Sequence, residues 1–480
     1  MKTSQQRRKV RIGLLGSGAV GEAIQDFVFG DLKGRVGSDI KLEIVKIYTP
    51  HPKDKKRKKR WRAAYPGLFT TKPKEVTRHP KIEIVVEALG SKQESQLAGF
   101  RKFIVDAMKN GKDVATSDKA VLVKYGKELW AAARRCGRQL RFEACVGGGI
   151  PIVRSLSESL TSEEPEAIYG IMNGTCNYIL SRMGQGKTSF AEALREAQQQ
   201  RYAETNPVKD VSGTDAEAKL LLLAAVTFGL HIKPGSIWLK GIEQVHAIDF
   251  RYADERGGCT IKQLAVAKKD DGAIQAFVSP VLVPNSHFLS TIAGPTNAIF
   301  FRGRRSEDAP GAERPEGMPA QGRRDWNYAF VGPGAGGGAT SVAVIGDVCD
   351  LARGRLHPLP GPPNLTVSGK ITLQPVDEIR GSFYLRFIVK DQPGIVGDIC
   401  RVLGRERINV SEVWQLGHSE EELKELRRAF RLKARLSEML PFAITAEETT
   451  LGRMKRALQT IQRQGRFNLQ EPLCIPIWRG

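Results

Sequence analysis

The stretch Val10-Arg-Ile-Gly-Leu-Leu-Gly-Ser-Gly-Ala-Val-Gly21 decides the fold of the N-terminal part of this 480-residue chain. An apolar run enters a glycine turn with GxGxxG spacing, and a helical pattern follows as far as Phe29. A strand, a tight turn and a helix in this order suit the pyrophosphate of a dinucleotide, because the helix N-terminus presents free N–H groups. We therefore predict a dinucleotide site formed by Gly16, Gly18, Ala19, Val20 and Gly21.

Short strands separated by helices continue to about residue 150. The pattern predicts strands at Lys41–Tyr48, Ile82–Leu89, Asp113–Thr116 and Gln139–Val146, and helices at Gln93–Lys109 and Ala120–Arg135. Strands that alternate with helices of this length form a parallel sheet with helices on both faces. Residues 1–150 are therefore expected to form a doubly wound α/β domain of the Rossmann type that binds NAD(P).

The remainder of the chain has a more mixed pattern. Residues 151–353 are predicted to form an α+β domain that begins with a helix at Pro151–Leu160. Within this domain, about 302–324 is rich in Gly, Pro, Arg and Glu and is expected to be a flexible insertion. A linker at 354–380 leads to residues 381–480, whose order of elements fits a βαββαβ, or ferredoxin-like, module.

The formal net charge is +22, from 74 basic and 52 acidic side chains, and two short segments carry much of it. The window Lys53–Arg62 contains eight basic residues and one acid, which gives +7, and five basic residues between Lys2 and Arg11 give another +5. A nucleic-acid partner, an anionic small molecule and solubility are three alternative reasons for such a charge.

The position of the denser segment favours an anionic small molecule. The second predicted strand ends at Tyr48-Thr49-Pro50, without the acid that holds the ribose 2′-hydroxyl in NAD-preferring folds. The basic run begins at Lys53, where cations suit the 2′-phosphate of NADP. We therefore expect NADP(H) to be preferred over NAD(H), no nucleic-acid partner, and a solvated basic tail at the N-terminus. The candidate cofactor contacts are Lys56, Arg57, Lys58 and Lys59.

Composition disfavours several other classes of protein. No run of about 18 apolar residues occurs, so neither a transmembrane helix nor membrane binding is expected. The apolar stretch after the basic N-terminus reaches Gly16 too soon for a secretory signal. The seven cysteines include no CxxC pair, which argues against a disulfide framework and against a zinc site. We expect a soluble protein of the reducing cytoplasm.

Six further motifs follow the glycine turn in order. They are Val86-Glu-Ala-Leu-Gly90, Ala115-Thr-Ser-Asp-Lys119, Glu143-Ala-Cys-Val-Gly-Gly-Gly-Ile-Pro151, Asn173-Gly-Thr-Cys-Asn-Tyr-Ile-Leu180, Tyr202-Ala-Glu-Thr-Asn-Pro-Val-Lys-Asp210 and Gly213-Thr-Asp-Ala-Glu-Ala-Lys219. With them, the chain from about Val10 to Arg353 resembles the homoserine dehydrogenase family. The C-terminal module, with its turn Asp391-Gln-Pro-Gly394, resembles an ACT domain.

The resemblance implies an oxidoreductase that acts on a CH–OH group. Its reaction would be the reversible NAD(P)H-dependent reduction of L-aspartate semialdehyde to L-homoserine, in the biosynthesis of threonine, methionine and isoleucine. Lys219 and Lys119 would be catalytic, and Asp215 would hold Lys219. From the residues alone, Asp215 and Lys219 share a helix face four positions apart, which an ordinary surface ion pair also explains.

The resemblance also implies ligands for three further groups. The substrate would be bound by Glu204, Asp210, Gly174 and Thr175. The cofactor site would include Gly90, Ser91 and Lys119. A structural monovalent cation, sodium or potassium, would be held by Glu143, Val146, Gly148 and Ile150. An ordinary helix N-cap would equally explain the stretch at Gly174, and a strand-end acid followed by a turn would explain Glu143.

Two positions depart from the family pattern. The family usually has Asn where this chain has Asp118, and a carboxylate there could pair with Lys119 and compete with the substrate. The segment Gly332–Thr340 lacks a proline that the family tends to carry before its threonine. We expect this segment to pack beside the cofactor, although a flexible glycine-rich loop is the alternative.

The ACT resemblance implies regulation of an oligomer. ACT domains bind amino acids between paired modules, so a homodimer or homotetramer with L-threonine as effector is expected. The basic segment Leu423–Leu436 leaves the effector response open. A second hypothesis is a catalytically inactive nucleotide- or nucleic-acid-binding regulator that keeps the dehydrogenase fold and an ACT sensor. Steeply salt-dependent nucleic-acid binding would favour it, and the presence of Glu204, Asp215 and Lys219 together argues against it.

Overall fold

The computed structural model of the chain describes residues 7–50, 60–91, 93–186, 188–304, 325–356, 371–464 and 467–479. Within them the strands are β1 (Arg8–Leu15), β2 (Arg35–Val36), β3 (Ile40–Tyr48), β4 (Phe69–Thr70), β5 (Ile84–Glu87), β6 (Asp113–Thr116), β7 (Leu140–Arg141), β8 (Glu164–Ile171), β9 (Trp238–Leu239), β10 (Cys259–Asp270), β11 (Ala273–Pro284), β12 (Thr296–Arg304), β13 (Asp325–Pro333), β14 (Thr372–Leu373), β15 (Arg380–Lys390), β16 (Val410–Trp414), β17 (Met439–Thr450) and β18 (Leu473–Ile477).

The α-helices of the same residues include several that are short. They are α1 (Ala19–Phe29), α2 (Arg60–Ala64), α3 (Lys74–Thr77), α4 (Glu94–Lys109), α5 (Lys119–Cys136), α6 (Ile152–Arg154), α7 (Gly174–Gly186), α8 (Phe190–Gln199), α9 (Val208–Val211), α10 (Thr214–Phe228), α11 (Ala247–Gly257), α12 (Phe288–Thr291), α13 (Gly337–Ala352), α14 (Ile395–Arg405), α15 (Glu420–Ala429) and α16 (Leu451–Arg463). None of these helices is long and apolar enough to cross a membrane.

The chain folds into two compact units that exchange segments along the sequence. Unit 1 comprises Met1–Ile168, Ala218–Pro234 and Ile299–Lys370. Unit 2 comprises Tyr169–Glu217, Gly235–Ala298 and Ile371–Gly480. The sequence predicts three domains that follow one another along the chain, at 1–150, 151–353 and 381–480. This division stays a prediction.

Unit 1 contains the doubly wound sheet predicted from the sequence. Its strand order is β2-β3-β1-β5-β6-β7, with β4 added to β3. Strands β3, β1, β5, β6 and β7 run parallel. The chain places β3 on one side of β1 and β5 on the other, so the order reverses at β1. In such sheets ligands bind at the carboxyl ends of the strands beside this reversal. The predicted Rossmann-type fold is confirmed.

Apolar side chains on one face of β1 form the core of this sheet. Val10, Ile12 and Leu14 are fully buried and pack with residues of α1 and α13, among them Ile24 and Val348. Alternate residues of a strand point to the same face, which is why this set shares one core. The glycine turn that follows β1 is therefore fixed at a defined place on the sheet edge.

Unit 2 contains an antiparallel hairpin and the βαββαβ module. Strands β10 and β11 pair antiparallel around a tight turn at Asp271 and Gly272, both with positive φ, as a two-residue hairpin requires. The sheet continues in the order β10-β11-β18-β15-β17-β16. The last four strands, with α14 and α16, form the predicted βαββαβ module. Helix α15, inserted between β16 and β17, is an addition to this pattern.

The module shares one hydrophobic core with the rest of unit 2. Residues of β15 and β18, such as Tyr384 and Ile475, belong to the same buried cluster as Ile179 of α7 and Tyr252 of α11. Burial of apolar surface is the main favourable term in folding. The module is thus stabilised by contacts with the α7 and α11 region, beyond those within its own sheet.

Several predicted elements need correction. The strand predicted at Gln139–Val146 ends at Arg141, and a 3₁₀ turn follows at Glu143–Cys145. The helix predicted at Pro151–Leu160 is α6 followed by a π-helical turn at Ser155–Ser159. The N–H of Glu143 donates to the carboxylate of Asp347, and the Glu143 carboxylate accepts the N–H groups of Val153 and Arg154. These contacts between distant residues are invisible in the local pattern.

The charged and irregular segments also differ from expectation. Arg8, Lys9 and Arg11 belong to β1 and not to a solvated tail; Arg8 pairs with Glu83 at 3.3 Å. Residues 302–304 of the predicted insertion lie in β12, and residues 305–324 lie outside the described residues. In the predicted linker, β14 is present and residues 357–370 are likewise outside. None of the seven cysteines, all within the described residues, forms a disulfide, as predicted.

Candidate active site

The glycine turn after β1 has the tight geometry that the sequence predicts. Gly16 has a φ of +115°, and a Cβ there would lie 2.3 Å from the carbonyl oxygen of Ala88. Its N–H donates to the carbonyl of Tyr48 at 3.0 Å. Gly18 is the N-cap residue of α1, and Ala19, Val20 and Gly21 form its first turn. The backbone N–H groups of this eleven-residue helix are placed as phosphate binding requires.

The end of β3 lacks an acid, as predicted. Thr49 is buried there, and its hydroxyl accepts a hydrogen bond from Ser17 at 3.1 Å. The proposed cofactor contacts Lys56, Arg57, Lys58 and Lys59 lie outside the described residues. Where the structure resumes, Arg62 of the basic run lies over the ring of Phe69 at 5.7 Å.

The carboxylate of Asp118 is the N-cap of α5. Its Oδ1 accepts hydrogen bonds from the N–H groups of Ala120 at 3.0 Å and Val121 at 3.3 Å. Ser91 donates from its N–H to Oδ2 at 2.8 Å and from its hydroxyl to Oδ1 at 3.1 Å. The carboxylate therefore ties the loop after β5 to the start of α5. Its pairing with Lys119 and its competition with the substrate stay predictions.

Lys119 is the first residue of α5 and therefore stands at the carboxyl end of β6. It is half-buried and follows the cap residue directly. Gly90, with a φ of +66°, and Ser91 lie at the carboxyl end of the neighbouring β5. The predicted residues of this edge are thus on adjacent strand ends, where doubly wound sheets bind their ligands.

Glu87 at the end of β5 was not among the predicted site residues. Its Oε1 accepts the N–H of Leu89 at 2.9 Å, and its Oε2 accepts the hydroxyl of Thr116 at 2.5 Å. Burial raises the pKa of Glu87 to about 8, and the negative charge of Asp118 adds to the increase. The sequence signal for this residue is a lone acid at the end of an otherwise apolar strand.

The raised pKa of Glu87 makes stability depend on pH. Below the ordinary pKa of 4.5 the carboxyl is neutral in the folded and in the unfolded protein. As pH rises from there towards about 8, the unfolded protein gives up this proton while the folded protein keeps it, so the free energy of unfolding falls. The loss is complete once the buried group ionises in the folded protein as well. We expect the melting temperature of the native protein to fall relative to Glu87→Gln between pH 5.5 and 8.5. Parallel melting curves across this range would contradict the assignment. Glu128→Gln, at a partly exposed carboxylate, serves as control.

Within unit 2, Asn173 brings together two of the carboxylates predicted as site residues. Its Nδ2 donates to Oδ1 of Asp210 at 2.8 Å and to Oδ2 of Asp215 at 3.0 Å. Its Oδ1 accepts the N–H of Cys176 at 2.8 Å, which caps α7. Asn173 was not predicted as a site residue, and its only signal is its position just before a helix start. One amide thus fixes the relative position of Asp210 and Asp215.

The other three predicted substrate residues are Gly174 and Thr175, which directly follow Asn173, and Glu204, for which no contact with the cluster is seen among the described residues. Gly174 begins α7, and a Cβ there would lie 2.4 Å from the carbonyl oxygen of Pro295. The buried hydroxyl of Thr175 donates to the carbonyl of Tyr202 at 2.7 Å. Glu204 is exposed on the loop between α8 and α9, and its carbonyl accepts from Gln198 at 3.2 Å. The helix start predicted at Gly174 and Thr175 is confirmed.

Lys219 lies on α10, one turn after Asp215. It is buried, at 6% exposure, and apolar residues such as Leu220 and Leu223 follow it. Lysine is among the residues least often found buried, so an ammonium in an apolar helix needs a reason beyond solubility. The burial of Lys219 argues against the surface ion pair that the sequence alone left open.

The proposed cation ligands lie in the turns after β7. Glu143 is buried, and its two carboxylate oxygens accept the N–H groups of Val153 and Arg154, both at 2.8 Å. Burial raises the pKa of Glu143 to about 7. The carbonyl of Ile150 accepts the N–H of Ile152 at 2.9 Å. In the described parts of the chain, no group of three or more His, Cys, Asp or Glu side chains could hold a metal ion.

The glycine-rich segment Gly332–Thr340 packs within unit 1. The N–H of Gly149 donates to the carbonyl of Pro333 at 3.1 Å. A Cβ on Gly337, the first residue of α13, would lie 2.9 Å from the carbonyl oxygen of Ala19. The segment is therefore packed against the start of α1 and is not a free loop. Its place beside the cofactor stays a prediction.

These features define a class of protein. A doubly wound parallel sheet with a glycine-rich dinucleotide turn after its first strand is typical of proteins that bind a nicotinamide dinucleotide, among them oxidoreductases. A family model described as the NAD binding domain of homoserine dehydrogenase matches residues 16–143, and one described as homoserine dehydrogenase matches residues 151–349.

Similar proteins agree with these models. A homoserine dehydrogenase of Synechocystis sp. is 34% identical over 423 residues, which is 86% of this chain and 90% of the relative. The solved homoserine dehydrogenase of Thiobacillus denitrificans is 29% identical with a TM-score of 0.79 and covers 99% of both chains. A hyperthermophilic archaeal homoserine dehydrogenase in complex with NADPH, 24% identical with a TM-score of 0.56, covers 73% of this chain and 99% of its own, and is a likeness of fold alone. The chain belongs to the homoserine dehydrogenase family of oxidoreductases.

Proposed function

We propose that the chain is an NADP-preferring homoserine dehydrogenase that reversibly reduces L-aspartate semialdehyde to L-homoserine in threonine, methionine and isoleucine biosynthesis. The observation that carries this proposal is the Asp210–Asn173–Asp215 cluster one helical turn before the buried Lys219. The test is a steady-state assay with aspartate semialdehyde and with each cofactor, followed by the reverse reaction with homoserine. Absence of turnover with both cofactors would refute the proposal.

In the proposed reaction each residue has one role. A bound nicotinamide supplies or accepts the hydride. Lys219 donates a proton or a hydrogen bond to the substrate oxygen as negative charge develops there. Asp215, held by Asn173, orients Lys219, and Lys119 faces substrate and cofactor from the end of β6. Positioned donors of this kind act without reorganisation at the moment of reaction.

The amino-acid end of the substrate carries an ammonium and a carboxylate, so its binding site needs both negative groups and positive or N–H groups. Glu204 and Asp210 are proposed to bind the ammonium, and the start of α7 at Gly174 and Thr175 is proposed to bind the carboxylate. The thirteen-residue length of α7 gives its N-terminus a substantial dipole, which favours an anion there. Opposite charges at two places would orient the aldehyde in a single direction.

The NADP preference is proposed to come from the basic run after β3. In the Lys56→Ala, Arg57→Ala, Lys58→Ala, Lys59→Ala variant we expect the KM for NADPH to rise roughly tenfold or more, since hydrogen bonds to charged groups each contribute about 1.5–3 kcal/mol. The KM for NADH should stay within about twofold, because NADH lacks the 2′-phosphate that these contacts recognise. Steady-state titration of each cofactor measures both constants.

A matched variant separates recognition from general charge. Exposed lysines elsewhere in the same sheet region can be removed in equal number: Lys72, Lys74, Lys102 and Lys109. This control should leave the ratio of the two KM values unchanged. An equal rise for NADPH and NADH in the first variant would remove the 2′-phosphate argument.

Three further features of the enzyme are proposed on the resemblance. Glu143, with the carbonyls of Val146, Gly148 and Ile150, would hold structural sodium or potassium, for which oxygen ligands are suited. The βαββαβ module would be an ACT domain, supported by the turn at Asp391–Gly394 before α14. It would bind L-threonine between paired modules of a homodimer or homotetramer.

A further inference from the structure

A buried ion pair joins the C-terminal module to the start of α11 within unit 2. Nη1 of Arg386, on β15, lies 2.6 Å from Oδ2 of Asp249, and the two side chains are 1% and 0% exposed. The hydroxyl of Tyr384 donates to Oδ1 of Asp249 at 2.9 Å. Such a pair is tolerated in the interior only when further hydrogen bonds satisfy it.

The same guanidinium fixes the turn that precedes α11. Nη1 and Nη2 of Arg386 both donate to the carbonyl of Gln244 at 3.2 Å. The N–H of His246 donates to Oδ2 of Asp249 at 2.8 Å, and the ring of Phe430 lies 4.8 Å from the guanidinium carbon. Arg386 therefore holds residues 244–249 through one carbonyl and one carboxylate.

This turn is in backbone contact with the segment that carries Asp210. The N–H of Ile242 donates to the carbonyl of Val211 at 2.9 Å, and the N–H of Val245 donates to the carbonyl of Ile242 at 3.0 Å. All three residues are buried. A Cβ on Gly241 would lie 2.6 Å from the carbonyl oxygen of Val211, so the two backbones approach closely. Val211 directly follows Asp210, which Asn173 holds.

We infer that Arg386 is a positioning residue for substrate binding, acting through the turn at 241–249 and Val211 on the Asp210–Asn173–Asp215 cluster. The inference rests on the proposed function, because it takes Asp210 as part of the substrate site. It gives the C-terminal module an indirect part in the basal reaction, in addition to any effector response. The path is continuous and lies entirely in unit 2.

The chemistry of arginine supplies a sharp test. Lysine keeps the positive charge near Asp249 but cannot make the two forked bonds to the carbonyl of Gln244. In Arg386→Lys we expect the KM for homoserine to rise about tenfold, the effect of one charge-assisted hydrogen bond, with kcat within about threefold and the KM for NADP⁺ within about twofold. Hydrogen exchange at the Ile242 amide should become faster.

Two comparisons distinguish positioning from general loss of stability. Arg456→Lys alters an exposed pair in the same module, 2.9 Å from Glu406, and should change none of these constants. Tyr384→Phe removes one hydrogen bond to Asp249 and keeps the ion pair, so it should raise the KM for homoserine in the same direction by a smaller factor. If Arg386→Lys does not fold, Tyr384→Phe decides alone.

The outcomes are separable. If Arg386→Lys folds and has a native KM for homoserine, the inference is overturned; if it does not fold, a native KM in Tyr384→Phe has the same consequence. A rise in the KM for NADP⁺ as large as that for homoserine also overturns it. In the Asp210→Asn background the effect of Arg386→Lys should shrink, and full additivity would also overturn it. If the unsubstituted protein does not turn over homoserine, the proposed function is refuted. In that case hydrogen exchange still tests the contact path: an Ile242 amide that exchanges no faster in Arg386→Lys overturns it.

Discussion

Replacement of Lys219 is expected to abolish turnover. In Lys219→Ala we expect kcat to fall by roughly 10³-fold, because the variant loses the group proposed to donate to the substrate oxygen, and general acid catalysis contributes about 10²–10⁴-fold. NADPH binding should stay within about twofold of the native value, since the dinucleotide turn follows β1 and does not involve α10. Steady-state kinetics with aspartate semialdehyde and a fluorescence titration of NADPH measure the two effects.

Two further variants distinguish loss of the Lys219 ammonium from loss of packing and from removal of any lysine in this part of the chain. Lys219 is buried, so Lys219→Ala also creates a cavity, whereas Lys219→Met keeps most of the side-chain volume and removes only the ammonium. Both should be inactive, and Lys219→Met should be the more stable to heat. Lys233→Ala, at an exposed lysine shortly after α10, should retain native kcat. Turnover by Lys219→Met within tenfold of native would exclude the catalytic role.

The parts of the fold that depend on local pattern could be predicted from the sequence. The bounds of α4 and α5 lie within one residue of those expected, and the glycine turn has the predicted conformation at Gly16. In these places hydrophobic periodicity and a backbone requirement of one residue determine the structure. The strand predicted at Gln139–Val146 failed because Glu143 starts a 3₁₀ turn that is fixed by distant partners, including Asp347 and the start of α6.

The contacts that assemble the site could not be predicted in this way. Asn173 reaches carboxylates 37 and 42 positions later in the chain, and Arg386 reaches Asp249 across 137 positions. Resemblance marked Asp210 and Asp215, but the amide that joins them has the sequence appearance of an ordinary helix cap. Asp118 shows the same limit, since its capping role depends on the conformation of α5 and on Ser91.

Replacement of Asn173 is expected to have the second largest effect. In Asn173→Asp the donor amide becomes a third carboxylate between Asp210 and Asp215, and like charges at this distance repel. We expect kcat/KM for homoserine to fall roughly 10²-fold, which corresponds to misplacement of about 1 Å in a substrate-positioning group. The KM for NADP⁺ should not change. Measurements of kcat/KM for homoserine and of KM for NADP⁺ test both statements.

A comparison of two substitutions separates the bridge from the helix cap. Asn173→Asp keeps an oxygen that can accept the N–H of Cys176, whereas Asn173→Ala loses this cap, at a cost of about 1 kcal/mol in stability. Both variants lose the donor to Asp210 and Asp215, so both should lose activity. Asn285→Ala, which removes an exposed amide contact with Asp254, should remain native in both respects. Native activity in Asn173→Asp would show that the two carboxylates need no bridge, because their placement would then come from the backbone of α9 and α10 alone.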